Sequence, residues 1–444
     1  MSIELLSPAG NIEKLKTAIL FGADAVYAGL GAFSLRSVGF NIDEVKMAVD
    51  LCHKANKKFF LAINIFTFNK DIKEIKSKLS VIGDIPIDAV IISDPGLIDI
   101  IREKMPQTKI HLSTQMNTTN KYAASFWWQQ GVSRIILARE LSLADIKEIH
   151  EYVPALELEI FGHGAMCMSF SGRCLLSQYL TDRNANQGLC AQPCRWEYQF
   201  IEKSPTRKIE SEQTISPMTI EEDKRGAYIF NSKDLCTINY IPQIIKAGIS
   251  SLKIEGRMKP AYYVALTTKC YREAIDLHGF KDRLLDPQYS IFIENLYNSL
   301  QQVSHRPFTN GFYFQEETIL QECQKAGYIK DYLFVGVVSS YKNGQVYIDV
   351  RNHIENGDTI EILDPLIPIS GYNFESKKED SNLSDKEYDF AEKIVINNNM
   401  YDQKTNEVLM KAHNQYKITL KIDKPVTPGS IIRKRCSQER KQEK

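Results

Sequence analysis

Ser251-Leu-Lys-Ile-Glu255, followed by Gly256-Arg257, is the stretch on which the fold turns. It is the eighth in a series of short β-rich runs. The seven before it are Ile3–Ser7, Ala25–Gly29, Phe59–Phe66, Ala89–Ser93, Lys109–Thr114, Arg134–Ala138 and Leu156–Gly162. Most are continuous apolar runs, as expected of parallel strands buried on both faces. Amphipathic segments such as Asn11–Phe21, Asp43–Lys54, Lys70–Ile82 and Lys121–Gln130 alternate with them. Asn11 and Asn69 read as helix N-caps, and Gly22, Gly83 and Gly131 as stops. Eight β/α units in roughly 280 residues fit a TIM-like (β/α)8 barrel better than an open doubly wound sheet.

The alternation breaks once. Residues 163–250 separate the seventh run from the eighth, far more than an ordinary βα connection. This insertion follows the C-terminal end of a strand, the face on which such barrels keep their active sites. The barrel is therefore assigned residues 1–330, with a cysteine-rich insertion at about 163–250, and a small all-β, barrel-like domain is assigned residues 331–444. Its expected strands are Phe334–Ser339, Gln345–Val350, Thr359–Leu363, Lys393–Ile396 and Gln415–Ile422, with a hairpin turning at Lys342-Asn343-Gly344. Ser376–Asp389 reads as a polar loop and Arg433–Lys444 as a solvated basic tail.

Composition narrows the function classes. With 43% hydrophobic and 25% charged residues over 444 positions, the chain can build a large core, which excludes disorder as its main state. Fifty-five basic residues balance fifty-five acidic ones, so any nucleic-acid contact must come from a local patch. No apolar run approaches the roughly 20 residues of a membrane span. Met1-Ser2-Ile3-Glu4 lacks the features of a signal peptide, and the chain reads as cytoplasmic.

Nine cysteines, at 52, 167, 174, 190, 194, 236, 270, 323 and 436, are an odd number without an export signal, which argues against a disulfide framework. Four crowd between Cys167 and Cys194 with spacing C-x6-C-x15-C-x3-C, and Cys236 follows after 41 intervening residues. Structural zinc sites pair their ligands at two to four intervening residues, which only Cys190 and Cys194 satisfy. An iron–sulfur cluster tolerates irregular spacing and fits best; zinc and incidental cysteines stay open.

Glu159-Ile-Phe-Gly-His-Gly-Ala-Met-Cys167-Met-Ser-Phe-Ser-Gly-Arg-Cys174-Leu-Leu-Ser177 matches the signature E-x-F-x2-G-[SA]-[LIVM]-C-x4-G-x-C-x-[LIVM]-S throughout. With Leu5–Gly10, Gly22–Gly29, Asn231–Cys236, Leu252–Arg257 and His305–Phe312, it resembles the collagenase-like U-32 peptidase family from the N-terminus to about residue 315. The β-rich end resembles that family's C-terminal domain. Asn186-Gln-Gly-Leu-Cys-Ala-Gln-Pro-Cys-Arg-Trp196 and the overall length are most similar to its tRNA hydroxylation branch. That resemblance implies a tRNA-modifying enzyme making 5-hydroxyuridine at the wobble position, with prephenate as co-substrate and a [4Fe-4S] cluster bound. It implies Cys167, Cys174, Cys190 and Cys236 as cluster ligands, with Cys194 as the competing fifth thiol.

A dicarboxylate such as prephenate would be received by guanidinium groups, which bind carboxylates bidentately. Arg257 leads the candidates, since Lys253, Glu255 and Arg257 alternate at period two and point to one face of an extended chain. Arg139 sits at another strand end, Arg36 and Arg173 in loops, and Glu140 and Glu255 are placed to orient arginines or handle protons. Gln115 and Asn117 are expected at the same mouth, with Gly10, Gly29 and Gly164 permitting tight turns. His163, the histidine nearest the cysteines in sequence, is the candidate base, although a structural role is favoured for it. Trp127-Trp128 and Arg195-Trp196 offer base-stacking side chains, for which core packing is favoured; Lys203, Arg207 and Lys208 form a modest basic patch. The rival readings are a peptidase centred on Cys167 or a metal, and a non-catalytic scaffold needing a protein partner. Homo-oligomerisation is open.

Overall fold

The computed structural model describes residues 3–35, 39–196, 222–223, 226–227, 232–279, 287–314, 328–370, 372–373, 378–379 and 391–436. Strand β1 (Glu4–Pro8) pairs in parallel with β2 (Ala25–Leu30) on one side and β8 (Ser251–Ile254) on the other. From β2 the sheet runs through β3 (Lys58–Ile63), β4 (Ala89–Ile92), β5 (Lys109–Leu112), β6 (Arg134–Ile136) and β7 (Glu157–Ala165). The ring closes where β7 pairs in parallel with β8, Leu252 opposite Ile160. All eight expected strands form, and the fold is a closed (β/α)8 barrel. Strands such as β2 and β4 are buried along their whole length because side chains on one face fill the barrel and those on the other pack under helices.

The helices α1 (Ile12–Leu20), α2 (Ile42–Lys54), α3 (Asn69–Ile82), α4 (Leu97–Lys104), α5 (Lys121–Gln129), α6 (Leu143–Tyr152), α7 (Ile241–Lys246), α8 (Ala261–Gly279) and α9 (Pro287–Leu300) follow the strands. Asn11 caps α1 as expected, its side-chain oxygen accepting from Lys14 N at 2.9 Å. Asn69 does not cap α3. It is the first helical residue, and the exposed N–H of Phe68 is taken by Asp71 Oδ2 at 2.8 Å instead. Gly22 and Gly131 stop their helices at φ +101° and +75°, whereas Gly83 stays right-handed at φ −59°.

The C-terminal sheet has the order β12 (Glu392–Val395), β11 (Thr359–Leu363), β15 (Ile431–Arg435), β9 (Tyr332–Lys342), β10 (Gln345–Val350), β14 (Lys417–Lys421) and β13 (Met400–Asp402). The β9–β10 hairpin turns at Asn343 and Gly344, both with positive φ, as a two-residue primed turn requires. The start of the expected basic tail is not solvated. Arg433–Arg435 belong to β15, a central strand, and Arg433 and Lys434 are buried. Arg433 Nε donates to Glu361 Oε2 at 2.9 Å and Lys434 Nζ to Asp358 Oδ2 at 2.5 Å, so non-local carboxylates bring these cations inside. Residues 437–444 lie outside the described residues, as does most of 376–389, of which Lys378–Glu379 form a short strand against Tyr372–Asn373. Leu363, Ile369 and Ile431 join the barrel's own apolar core, which fixes the sheet against α8. Among the described residues no helix is long and apolar enough to cross a membrane.

Candidate active site at the barrel mouth

β7 runs to Ala165, three residues past its expected end, because its last residues pair antiparallel with the short strand Asp234–Cys236. The chain then folds back across the barrel mouth. Asn117 Nδ2 donates to Ser171 O at 2.9 Å, and Phe66 N donates to Asn186 O at 3.0 Å, tying the insertion to loops after β5 and β3. Ala191 N donates to Ser177 Oγ at 2.9 Å, joining the insertion's two halves.

Between insertion and barrel lies a cavity of about 140 Å³. Tyr27, Arg139, Lys253, Glu255 and Arg257 line it from the strand ends, and Cys167, Cys174, Cys190 and Cys194 line it from the insertion. Burial pushes the Cys194 thiol above its ordinary range; Arg195 opposes this and the neighbouring sulfurs of Cys167, Cys190 and Cys174 reinforce it. Four soft sulfur donors on one wall fit a thiolate-held group. Among the described residues no group of three His, Cys, Asp or Glu side chains is placed to hold a single metal ion. A multi-iron cluster takes its thiolates at separate corners.

Cys236 lies outside this lining. Its backbone pairs with that of His163, Tyr271 OH points to its sulfur at 3.8 Å, and burial pushes the thiol up to about 11. His163 is also buried outside the cavity, its ring 5.5 Å from those of Tyr271 and Phe308, and burial pushes it down to about 3. It is therefore a neutral packed ring near neutral pH. No histidine is among the residues lining the cavity.

The three alternating residues of the eighth run and the turn after it do converge on this cavity. Lys253 Nζ stands 3.0 Å from Glu159 Oε1 and 4.2 Å from the centre of the Tyr27 ring; burial pulls its pKa down against the pull of Glu159. Glu255 Oε2 accepts from Tyr27 OH at 3.2 Å. Arg257 is 3% exposed, and its Nη2 donates to Leu35 O, while Nε and Nη1 have no hydrogen-bond partner among the described residues. Arg139 lies 3.9 Å over the Phe161 ring with its Nε likewise unpartnered. Gln115, expected at the same mouth, stands outside the cavity lining; its buried Nε2 is a fourth donor with no hydrogen-bond partner among the described residues. Buried donors are normally satisfied, so two guanidinium groups with spare N–H at a cavity describe a site for an anion.

Glycines make the room. A Cβ on Gly10 would sit 2.3 Å from Arg257 O, and one on Gly29 would sit 2.9 Å from Arg257 Nη1 and closer still to Ser34. Neither has positive φ, so these two serve close approach rather than the tight turns expected of them; Gly164, at φ +110°, does need its left-handed backbone.

Arg173 is exposed and Glu140 half-buried, and both stand outside the cavity lining, as does Asn117, which clamps the insertion instead. Arg36, Lys203, Arg207 and Lys208 lie outside the described residues. Trp127 packs partly against the core, but Trp128 and Trp196 are 40% and 42% exposed, contrary to the core packing favoured for them. Sequence reasoning missed Tyr27 and Glu159. The signal for Tyr27 was a hydroxylated aromatic ring inside the small apolar run Ala25–Gly29.

Known proteins resemble the chain over most of its length. Peptidase family U32 matches residues 10–322, and the peptidase family U32 C-terminal domain matches residues 330–383. A protein of Haemophilus influenzae named tRNA hydroxylation protein P is 39% identical over 402 residues, covering 82% of this chain and 86% of that one. The tRNA hydroxylation protein P1 of Bacillus subtilis is 33% identical over 440 residues, covering 97% of this chain and 94% of its own. A Porphyromonas gingivalis protein named collagenase is 32% identical over 325 residues, covering 70% and 73%.

Proposed function

The chain belongs to peptidase family U32, and from that premise we propose that it is a tRNA hydroxylase. Its substrate is the wobble uridine, its co-substrate prephenate, and its cofactor a [4Fe-4S] cluster. The observation that carries this reading is one cavity lined both by four thiols of the insertion and by arginines with unpartnered guanidinium N–H. Likeness to proteins named for tRNA hydroxylation supports the substrate class.

Cys167, Cys174 and Cys190 hold three corners of the cluster. Cys194 is the better fourth ligand because it shares their cavity wall, while Cys236 is buried outside it. Bound there, a cluster supplies one-electron redox chemistry. Arg257 and Arg139 bind the two carboxylates of the co-substrate through their spare N–H. Lys253, held by Glu159, adds positive charge at the floor, and Glu255, fixed by Tyr27, is the group positioned to take or give a proton.

The collagenase likeness favours a peptidase as the second reading. A cysteine nucleophile needs a basic partner, and no cavity-lining residue is a histidine, so the geometry supports it less well. Anaerobic purification with iron and acid-labile sulfide counts, beside Cys174→Ala, Cys194→Ala and Cys236→Ala, separates the readings. About four irons and four sulfides are expected, lost with Cys174 and Cys194 and kept with Cys236→Ala. Transcribed tRNA should then gain hydroxyuridine only when prephenate is present. Iron-free protein that cleaves peptides and leaves tRNA unchanged would place the peptidase first.

A further inference from the structure

We propose that the outer face of the cysteine insertion is a stacking platform for a single-stranded RNA loop, from which one unstacked base is delivered into the cavity. The inference rests on the tRNA reading above and assigns the surface that meets the RNA.

The short helix Leu176–Thr181 has two sides. Leu176 and Ser177 line the cavity. Leu175 and Tyr179 are four residues apart, with Tyr179 N donating to Leu175 O at 2.9 Å, so they stand on one face. That face looks outward, Leu175 being 67% and Tyr179 87% exposed. The helix packs against the turn Pro193–Arg195, at whose end Trp196 is exposed. Phe170 is both 43% exposed and part of the cavity lining, so an exposed ring stands at the lip of the site.

The charge in this stretch of chain is mainly positive. Between Gly164 and Trp196 the chain has three arginines and a single acid, Asp182, in a protein whose overall charge is zero. Arg173 and Arg183 are exposed, and Arg183 is steadied by donating from Nε to Leu189 O at 3.0 Å. Exposed aromatic faces interleaved with arginines suit bases and phosphates, and suit an acidic or apolar protein surface less. The cavity admits only a small part of a nucleic acid. The RNA body must therefore stay outside while the reacting base leaves the stack, as in other enzymes acting on a base.

The test measures binding of an unmodified tRNA transcript with a wobble uridine, and of its anticodon stem-loop, to anaerobically purified protein. Tyr179→Ala should weaken both by about 5- to 150-fold, the usual range for losing one base stack, while Tyr179→Phe keeps wild-type binding. The double variant Arg173→Ala/Arg183→Ala should lower the slope of log affinity against log salt by about 1.4, at about 0.7 per single-strand phosphate contact. Trp128→Ala, an exposed aromatic on the barrel's outer helices, should change neither. Unchanged iron content and circular dichroism show that each variant is folded. Wild type that binds RNA, with Tyr179→Ala and the arginine pair binding equally well, overturns the platform and leaves the tRNA reading standing. Wild type that binds neither RNA removes the tRNA reading itself, and the platform with it.

Discussion

Arg257 shows how function and stability part company at a single residue. A guanidinium buried to 3% exposure with two nitrogens unpartnered costs the fold free energy, because those donors have lost water and gained nothing. Evolution keeps such a group where a ligand completes it. Arg257→Met is therefore expected to leave the melting temperature unchanged or raise it. The same change should weaken prephenate binding about 10- to 150-fold, from the loss of about 1.5–3 kcal/mol in charged hydrogen bonds. Calorimetric titration beside thermal unfolding checks both halves; a fall in stability with intact binding would make Arg257 a structural residue. Its placement was legible, since period two in Lys253-Ile-Glu-Gly-Arg257 put the three charges on one face. That it would be the under-satisfied member was not, because the acceptor Leu35 and the space left by Gly10 and Gly29 come from distant parts of the chain.

Elements whose apolar pattern is local were read correctly, and those stabilised by distant charges were not. The eight barrel strands announce themselves as apolar runs, but β15 carries Arg433-Lys-Arg435 and looks like a tail until Glu361 and Asp358 arrive from β11 and the turn before it. The short strand Asp234–Cys236 is similar. Asp234 is buried and takes Arg306 Nε at 3.0 Å and Nη2 at 2.6 Å, with the Arg306 backbone N–H at 3.1 Å. Burial alone would raise its pKa; the Arg306 guanidinium outweighs it and holds the carboxyl below its ordinary range. A folded pKa below the unfolded one means stability that is full above the unfolded value near 3.8 and lost as pH falls through the folded one. Asp234→Asn should lose about 3–5 kcal/mol at neutral pH, because Arg306 is left buried and unpaired. It should also flatten the acid limb of the stability curve below about pH 4. Denaturant midpoints at several pH values measure both; an acid limb parallel to wild type would rule the pair out as its source.

At the scale of the whole molecule, the barrel and the C-terminal sheet are joined by more than a linker. Glu273 on α8 accepts from Ile369 N at 2.9 Å and from Ser370 N at 2.8 Å, and the neighbouring Lys269 Nζ donates to Pro365 O at 2.6 Å. Arg433 from β15 reaches Tyr262 OH at 2.7 Å, and Arg351 meets Glu13 of α1 at 3.1 Å. These polar contacts surround apolar packing in which Leu363, Ile369 and Ile431 share the barrel's core, so neither unit finishes burying its apolar surface alone. The sheet packs on α8, the helix after β8, whose strand carries Lys253 and leads directly into Arg257. Coupling of the two units should therefore appear as one calorimetric transition for the wild type. Glu273→Ala leaves two buried backbone N–H groups without their carboxylate, at about 1–3 kcal/mol for each unsatisfied group, and removes the carboxylate that pairs with Lys269 at 3.3 Å. That cost falls on the interface alone. The expected result is a split into two transitions, the lower belonging to the sheet, with hydrogen exchange accelerating first at Ile369 and Ser370 and only later in β1–β8. A single transition shifted downward as a whole would mean that the interface is no weaker than either core, and the two units would then be one cooperative body.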